Sequence, residues 1–327
     1  MTNRWGLSVP LTGVPLPAHA ELVRALPGLG YTDAWSAETN GADAFTPLAL
    51  ASVWEPTLRL GTAIVPVFTR GPALIAMSAA ALASAAPGRF VLGLGASSPV
   101  IVQNWNGIPF RDPYQRCRDV LRVVRGALAG ERVDGEFDSF TVTRFKLEQP
   151  PAQPPKVMLA ALRPQMLRLA GRESDGAILN WLSATDVPRC VEAIGNDAAE
   201  VVARIFVCPT ADEQYARTVG RLLISTYLTV PAYAAFHDWL GRGEALRPMH
   251  EAWAAGDRAG AAAAVPDDVV DALVLHGTPE QCRAQVAGYA AAGVGTPVIA
   301  LVPTPEMADP ATALDVIRRL GPNAGRS

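Results

Sequence analysis

Short, continuous apolar runs recur along the chain, and a segment with helical spacing follows most of them. Eight runs are predicted as strands: Trp5–Val9, Asp33–Ala37, Leu58–Val65, Phe90–Leu94, Lys156–Ala161, Gly176–Trp181, Arg204–Cys208 and Pro297–Val302. Continuous apolar runs are typical of parallel strands that are buried on both faces, whereas half-exposed strands alternate. The pattern therefore predicts a parallel sheet covered by helices.

The segments between these runs have the spacing of amphipathic or buried helices. They are Ala18–Leu26, Thr46–Trp54, Ala73–Ala86, Pro113–Leu128, Gln165–Gly171, Asp186–Ile194 and Pro310–Leu320. Thr46 and Pro47 are placed as the N-cap and the first helical residue of the second helix. Eight strand–helix repeats in 327 residues favour one (β/α)8 TIM barrel over an open doubly wound sheet.

Two stretches interrupt the alternation and are predicted as insertions after strands four and seven. Residues 96–155 contain a helix and two alternating segments, Val133–Phe137 and Phe140–Leu147, which predict a small hairpin. Residues 212–296 are helical and hold several aromatic residues, interpreted mainly as packing residues: Tyr227, Tyr233, Phe236, Trp239 and Trp253. No low-complexity linker divides the chain, so residues 1–327 are predicted to form a single domain.

The composition narrows the classes of partner. Charged residues make up 18% of the chain, and the formal net charge is −3. This balance argues against a nucleic acid or an anionic membrane surface as the main partner. The longest uncharged run, Gly71–Gly88, leaves only 14 residues between its two prolines. A helix of that length reaches about 21 Å against a core of about 30 Å, so we interpret it as a buried helix.

Histidine and cysteine, which often serve as catalytic residues or metal ligands, number only four each. No pair has the C-x-x-C or H-E-x-x-H spacing of a metal site, so no bound metal is expected. The sequence also starts without an apolar signal core. Four reduced, mostly buried thiols in a cytoplasmic protein are expected, at Cys117, Cys190, Cys208 and Cys282.

Candidate site residues follow from the barrel itself, because barrel active sites lie at the carboxyl ends of the strands. The segments after predicted strands two to six are Glu38–Gly41, Ile64–Arg70, Gly95–Ser98, Ala160–Pro164 and Asn180–Trp181. Glu38 is the lone carboxylate at the end of a buried strand, which suits a general acid, a general base or a substrate contact. The other interpretation is a carboxylate that binds backbone amides or caps the next segment.

Two of these segments are rich in small residues. The run Gly93–Ser98 departs from a G-x-G-x-x-G fingerprint and instead suits a planar ligand that approaches the backbone, or close helix–strand packing. The run Ala160–Arg163 combines small residues with a cation at a helix start. It suits a phosphate group, unless Arg163 is simply a solvent-exposed helix cap.

Several motifs, in their order and spacing, resemble the luciferase-like monooxygenase superfamily, and most of all its deazaflavin-dependent (coenzyme F420) oxidoreductases. The resemblance is carried by Ala42–Leu48, Leu60–Pro66, Arg70–Leu74, Gly88–Ser97, Ala170–Gly176 and His276–Glu280. It spans about residues 5–305. It implies a luciferase-like TIM barrel, usually dimeric, with a deazaflavin or flavin at its mouth.

The resemblance also implies roles for individual residues. A non-prolyl cis peptide at Ala63–Ile64, followed by Val65, is expected to support the tricyclic ring. Further cofactor contacts are expected from Gly95, Ala96, Ser97, Ala160, Ala161, Leu162 and Arg163. Glu38 matches an acidic position near the reactive ring carbon. Thr39 stands where several relatives have histidine, so imidazole-based proton transfer is not expected here.

The leading hypothesis is an F420-dependent oxidoreductase that transfers a hydride between the reduced deazaflavin and a small organic substrate. Two others stay open: an FMN-dependent monooxygenase that uses oxygen, and a flavin-binding or deazaflavin-binding protein without catalytic activity. Substrate contacts are expected from Thr39, Asn104, Trp105, Asn180 and the 227–253 region. The expected assembly is a cytoplasmic homodimer.

Overall fold

The computed structural model describes residues 4–324 and has a closed barrel of eight parallel strand positions. The strands, in chain order, are β1 (Gly6–Ser8), β2 (Asp33–Ser36), β3 (Arg59–Thr62), β4 (Val65–Pro66), β5 (Phe90–Gly95), β6 (Val133–Phe137), β7 (Phe140–Phe145), β8 (Lys156–Ala160), β9 (Gly176–Asn180), β10 (Glu200–Cys208), β11 (Val274–His276) and β12 (Thr296–Leu301). The TIM-barrel prediction is confirmed.

The sheet closes through parallel pairing around the whole ring. Its order is β10-β12-β1-β2-β3-β5-β8-β9, and β9 pairs with β10. The short β4 continues the third strand position and pairs with β5. Outside the ring, β11 pairs with β10, and the antiparallel pair β6–β7 forms the predicted hairpin. All eight carboxyl ends therefore open at one end of the barrel, here called the mouth.

Thirteen α-helices accompany the strands within residues 4–324. They are α1 (His19–Ala25), α2 (Thr46–Trp54), α3 (Pro72–Ala85), α4 (Pro113–Leu128), α5 (Pro164–Glu173), α6 (Val187–Ile194), α7 (Glu213–Tyr227), α8 (Pro231–Trp239), α9 (Gly243–Ala254), α10 (Arg258–Ala263), α11 (Asp267–Leu273), α12 (Pro279–Ala291) and α13 (Pro310–Leu320). Short 3-10 turns cover Leu16–Ala18, Ala184–Asp186 and Pro305–Ala308, and a π-helical turn covers Val100–Trp105. No helix within residues 4–324 is long and apolar enough to cross a membrane.

Three predicted details differ from the structure. The third strand is broken, because an extra residue lies between the register pairs Gly61–Val91 and Val65–Leu94. The seventh strand begins at Glu200 rather than Arg204, because residues 200–204 all pair with β9. Thr46 does not cap α2; the carboxylate of Asp43 accepts the backbone N–H groups of Phe45 and Thr46 instead.

Side chains fill the lower part of the barrel. The inward residues of six strands form one buried cluster, here called the plug: Trp35, Val91, Met158, Ile178, Val202 and Val298. Ala63, Ile64 and Ala160 pack on it from above. The interior is therefore a packed core, as in other TIM barrels, and a ligand has room only at the mouth.

Candidate active site

The broken third strand places a backbone shelf at the mouth. The peptide between Ala63 and Ile64 is cis, as predicted from the family resemblance. Neighbouring strands hold the shelf on both sides. On the side of β2, Ala63 N–H donates to Ser36 O at 2.6 Å, and Glu38 N–H donates to Ile64 O at 3.2 Å. The Thr62 hydroxyl bridges to the backbone of Gly93 in β5. The shelf is thus part of the strand ladder and not a free loop.

Two glycines allow the shelf and the neighbouring strand to pack closely against β5. A Cβ atom on Gly95 would lie 2.9 Å from Ile64 Cγ1 and 3.0 Å from Ala160 Cβ. A Cβ atom on Gly93 would lie 2.0 Å from the Thr62 carbonyl oxygen. Real Cβ atoms essentially never approach this closely, so glycine is required at Gly93 and strongly favoured at Gly95. The cradle of Ile64, Gly95 and Ala160 suits a flat ring system that lies against backbone.

Backbone conformation marks the same end of the barrel. Ser97, two residues beyond β5, has φ +65°, and Trp181, directly after β9, has φ +54°. Left-handed backbone is uncommon for residues other than glycine and often occurs at ligand sites. Ser97 is a predicted cofactor contact, whereas sequence reasoning gave Trp181 no role.

The Glu38 side chain is held by an arginine. Arg70 donates from Nε and Nη2 to the Glu38 carboxylate at 2.9–3.2 Å and stands 3.6 Å from Asp43. The Arg70 guanidinium also lies 5.3 Å from the centre of the Phe45 ring. Within residues 4–324 the Glu38 carboxylate accepts no backbone N–H group and caps no helix, and its hydrogen bonds come from Arg70. Bidentate pairing fixes its orientation at the rim of the mouth.

An aromatic wall faces the mouth from β9, β10 and the helices after them. The rings of Trp181 and Phe206 stack with centroids 4.0 Å apart, and Tyr227 lies 5.1 Å from Trp181. Tyr233 meets Tyr227 edge-on, and its hydroxyl accepts a hydrogen bond from Asn180 Nδ2 at 2.9 Å. Two insertion aromatics predicted as packing residues therefore pack into the wall of the site.

The remaining predicted site residues lie around the rim. Ala161 is buried and Leu162 is partly buried, and Arg163 is exposed at the start of α5. Thr39, Asn104 and Trp105 are exposed, Trp105 at 53% of its surface. Asn180 is partly buried within the mouth. The structure thus gathers the shelf, the cradle and Asn180, while Arg163, Asn104 and Trp105 stand further out.

A surface hollow lies at the opposite end of the barrel. It has a volume of about 260 Å³ and lies beside Lys156, the first residue of β8. Its charges satisfy each other, because Arg125 and Asp175 form an ion pair at 2.7 Å. No group of histidine, cysteine or acidic side chains suited to a metal occurs within residues 4–324. The mouth is therefore the candidate active site.

A family model for the luciferase-like monooxygenases matches residues 5–296, which is most of the chain. The chain belongs to this family. A relative from Mycobacterium tuberculosis (strain ATCC 25618 / H37Rv), named as a coenzyme F420-dependent oxidoreductase, is 28% identical over 329 residues and covers 90% of this chain and 92% of its own. The 5,10-methylenetetrahydromethanopterin reductase of Methanolobus tindarius is 27% identical, with 79% and 82% covered.

Solved structures of the family share the fold. The coenzyme F420-dependent tetrahydromethanopterin reductase from Methanopyrus kandleri superposes with a TM-score of 0.79 at 21% identity, over 99% of both chains. An FMN complex of the 3,6-diketocamphane monooxygenase from Pseudomonas putida gives 0.66 at 16% identity, over 100% of this chain and 99% of the other. An F420-dependent reductase and an FMN complex thus share this barrel fold.

The sequence predicts no specific role for Arg70, Arg204, Trp181 or Phe206, whereas Tyr227 and Tyr233 lie in the region where it predicts substrate contacts. Arg70 belongs to the candidate segment Ile64–Arg70, and its partner Glu38 lies in another loop. A signal for Arg204 exists in the sequence, because it is the lone charge in the apolar run 201–208. With the strand started at Arg204, that charge looked like an ordinary strand end.

Proposed function

We propose that this protein is an F420-dependent oxidoreductase. The observation that carries the proposal is the cradle of Ile64, Gly95 and Ala160 at the mouth, where backbone and small side chains suit a planar tricyclic ring. F420-dependent enzymes among the relatives support the choice of cofactor. The scarcity of histidine and thiol groups fits a site whose reactive atom is on a bound organic molecule.

The residues at the mouth divide into ring, phosphate and substrate contacts. Ring contacts come from Ala63, Ile64, Val65, Gly95, Ala96, Ser97 and Ala160. The loop of Ala161, Leu162 and Arg163 contacts the phosphate-bearing tail, for which the exposed guanidinium at the start of α5 is suited. When bound, a deazaflavin supplies a hydride donor or acceptor at its central ring carbon. Thr39, Asn104, Trp105 and Asn180 contact a small organic substrate.

Glu38 moves or positions a proton near the reactive centre. Its backbone N–H binds the shelf carbonyl of Ile64, so the residue stands directly beside the ring seat. Arg70 fixes the carboxylate from the solvent side. A fixed carboxylate within reach of the substrate is suited to general acid–base chemistry or to binding a substrate hydroxyl.

Titration of the purified protein with F420 and with FMN tests the proposal. We expect saturable binding of F420 and at least about tenfold weaker binding of FMN, which is about 1.4 kcal/mol. Reduced F420 should be oxidised by substrate without oxygen consumption in an oxygen-electrode assay. Tight FMN binding without F420 binding, together with oxygen uptake, would instead identify a flavin monooxygenase.

Turnover by wild type distinguishes a catalyst from a carrier, and replacement of Glu38 by glutamine tests whether Glu38 takes part in the chemistry. We expect turnover of reduced F420, with a carbonyl or unsaturated substrate found by screening, to fall about 100-fold, the typical contribution of a positioned acid or base. F420 affinity should change little, because the carboxylate faces Arg70. Equal turnover in the variant and in wild type would remove Glu38 from the chemistry.

We also propose a homodimer formed through α2 and α3. Neither helix contains a charged residue, and their outer surface exposes Val53 at 80%, Leu74 at 46% and Met77 at 49%. An uncharged apolar face of this kind typically marks a protein interface.

Sedimentation velocity checks the assembly. We expect a mass of twice 34.5 kDa for wild type and of one chain for Met77→Glu. Leu222→Glu, at an exposed leucine of α7, is the matched control and should remain dimeric. A monomeric wild-type protein contradicts this interface.

A further inference from the structure

Arg204 is a cation inside the barrel without a counter-charge. It lies mid-strand in β10, between the plug residue Val202 and the wall residue Phe206, so its side chain points inward. Its guanidinium lies 4.8 Å from the centre of the Phe206 ring. Within residues 4–324 it forms no ion pair, and its buried Nε–H has no hydrogen-bond partner. The contact with the Phe206 ring accounts for one face of the guanidinium and leaves its Nε–H edge without a partner.

The polar groups around Arg204 are unsatisfied as well. Asn180 pairs in register with Arg204 from β9, and its buried Oδ1 accepts no hydrogen bond. The buried Nε1–H of Trp181 also has no hydrogen-bond partner. The other edge of Asn180 is bound to Tyr233, whose pKa is raised by burial to about 12, so its hydroxyl keeps its proton. Native proteins pair nearly all buried polar atoms, so a concentration of unpaired ones at one place points to a missing ligand.

The position of Arg204 suits the substrate rather than the cofactor ring. Arg204 pairs in register with Val298, and Val202 and Val298 both belong to the plug on which Ile64 and Ala160 pack. Arg204 and the shelf therefore stand over the same plug, on different strands around the mouth. A molecule between them contacts the ring seat on one side and the guanidinium on the other.

We propose that Arg204, with Asn180, binds a carboxylate group of the substrate, and that the substrate is a monocarboxylic acid with an apolar body. This inference rests on the proposed function, since it places that molecule beside the deazaflavin. A guanidinium binds a carboxylate through two parallel N–H donors, and the Nε–H edge is free here. Asn180 supplies a further polar contact, and the rings of Phe206, Trp181 and Tyr227 receive the apolar body.

A carboxylate fits better than a phosphate on charge grounds. The wall around Arg204 consists of Trp181, Phe206, Tyr227 and Tyr233 together with Asn180. Arg204 is the one cation in this group of residues. A single guanidinium balances one negative charge. A phosphate monoester carries nearly two at neutral pH, and its second charge is costly to bury against aromatic rings.

Binding of small probes tests the site without knowledge of the natural substrate. Benzoate, phenylacetate and cinnamate are titrated into the full-length protein by calorimetry, each beside its neutral amide, with phenyl phosphate as a further probe. We expect at least one acid to bind wild type about 30-fold more tightly than its amide, the difference typical of a charge-assisted pair. Arg204→Met should bind the acid and the amide alike.

Controls separate the possible outcomes. Arg189→Met removes an exposed arginine that lies 4.5 Å over Trp239 and should leave acid binding unchanged. F420 affinity is measured for every variant and should stay within about twofold of wild type. Failure of wild type to bind F420 refutes the proposed function. The acid–amide comparison needs no cofactor, so it still tests the carboxylate site in that case. Equal affinity for acid and amide in wild type, no acid binding at all, tighter binding of phenyl phosphate, or full acid binding by Arg204→Met overturns the carboxylate site.

Discussion

Replacing Gly95 with leucine is expected to lower the affinity for F420 at least about 100-fold, which is about 2.8 kcal/mol. The added Cβ would stand 2.9 Å from Ile64 Cγ1 and 3.0 Å from Ala160 Cβ, and the rest of the side chain would fill the cradle. The φ angle of Gly95 is not in the left-handed region, but Ile64 Cγ1 and Ala160 Cβ lie close to their own backbones, so circular dichroism first establishes that the variant is folded. Fluorescence titration with F420 measures the effect.

A graded series and a distant control make this result specific. Gly95→Ala adds only the Cβ and should weaken binding by about tenfold, since Ile64 must move by a few tenths of an ångström. Gly288→Leu places the same side chain on α12, where nothing lies within 4 Å of the new Cβ, and should bind F420 as wild type does. Unchanged affinity in Gly95→Leu, with native circular dichroism, would move the ring away from this cradle.

The fold could be predicted from the sequence because a parallel barrel has a simple pattern. Buried strands read as apolar runs of five to eight residues, and the helices between them carry proline near their first turns, as in α2 and α3. The break at Ala63–Ile64 was invisible to this pattern, because the residues from Leu60 to Val67 are almost all apolar. Only the resemblance to a family indicated the cis peptide there.

The site was harder to predict, because its contacts join residues far apart in the chain. Glu38 could be selected as a lone carboxylate, but its partner Arg70 lies 32 positions away in another loop. Arg204 and Asn180 become neighbours only through the register of β9 and β10. A charge in the middle of a strand can be recognised as inward-facing, because it alternates with apolar residues on both sides. The predicted strand began at Arg204, so the residues before it were not available for this comparison.

Replacing Arg59 with methionine is expected to destabilise the protein by about 3 kcal/mol. Arg59 opens β3 at the end of the barrel opposite the mouth, where it donates to Asp33, to Glu200 at 2.7 Å and to Thr296 at 2.8 Å. The Asp33 carboxylate is fully buried. Loss of Arg59 leaves Asp33 with Arg4, at 3.1 Å, and the Thr32 hydroxyl, and leaves Glu200 with Lys156, at 3.3 Å, and the Thr296 hydroxyl, at 2.9 Å. Urea unfolding at pH 7 measures the cost.

The pH dependence of that cost distinguishes ion pairing from lost packing. Burial opposes ionisation of Glu200, but the hydrogen bonds and charge of Arg59 outweigh it and lower the pKa to about 2. A carboxyl group with a lowered folded-state pKa stabilises the protein above its unfolded value, near 4.5, and loses that contribution as the pH falls towards 2. The difference between wild type and Arg59→Met should therefore shrink between about pH 5 and pH 3. A difference that does not vary with pH would assign the effect to packing.

Arg122→Met is the matched control for Arg59→Met. Arg122 pairs with Glu173 at 2.7 Å, but half of its side chain is exposed, so its loss should cost less than about 1 kcal/mol.

The ion pair of Arg59 and Glu200 also concerns the candidate site. Arg59 precedes the Ala63–Ile64 shelf on the third strand position, and Glu200 begins the strand that carries Arg204. One ion pair thus joins the two strands whose upper ends form the ring seat and the proposed carboxylate contact. Because that pair lies below the plug, F420 affinity of folded Arg59→Met should stay near wild type at low urea, and binding should be lost together with the fold.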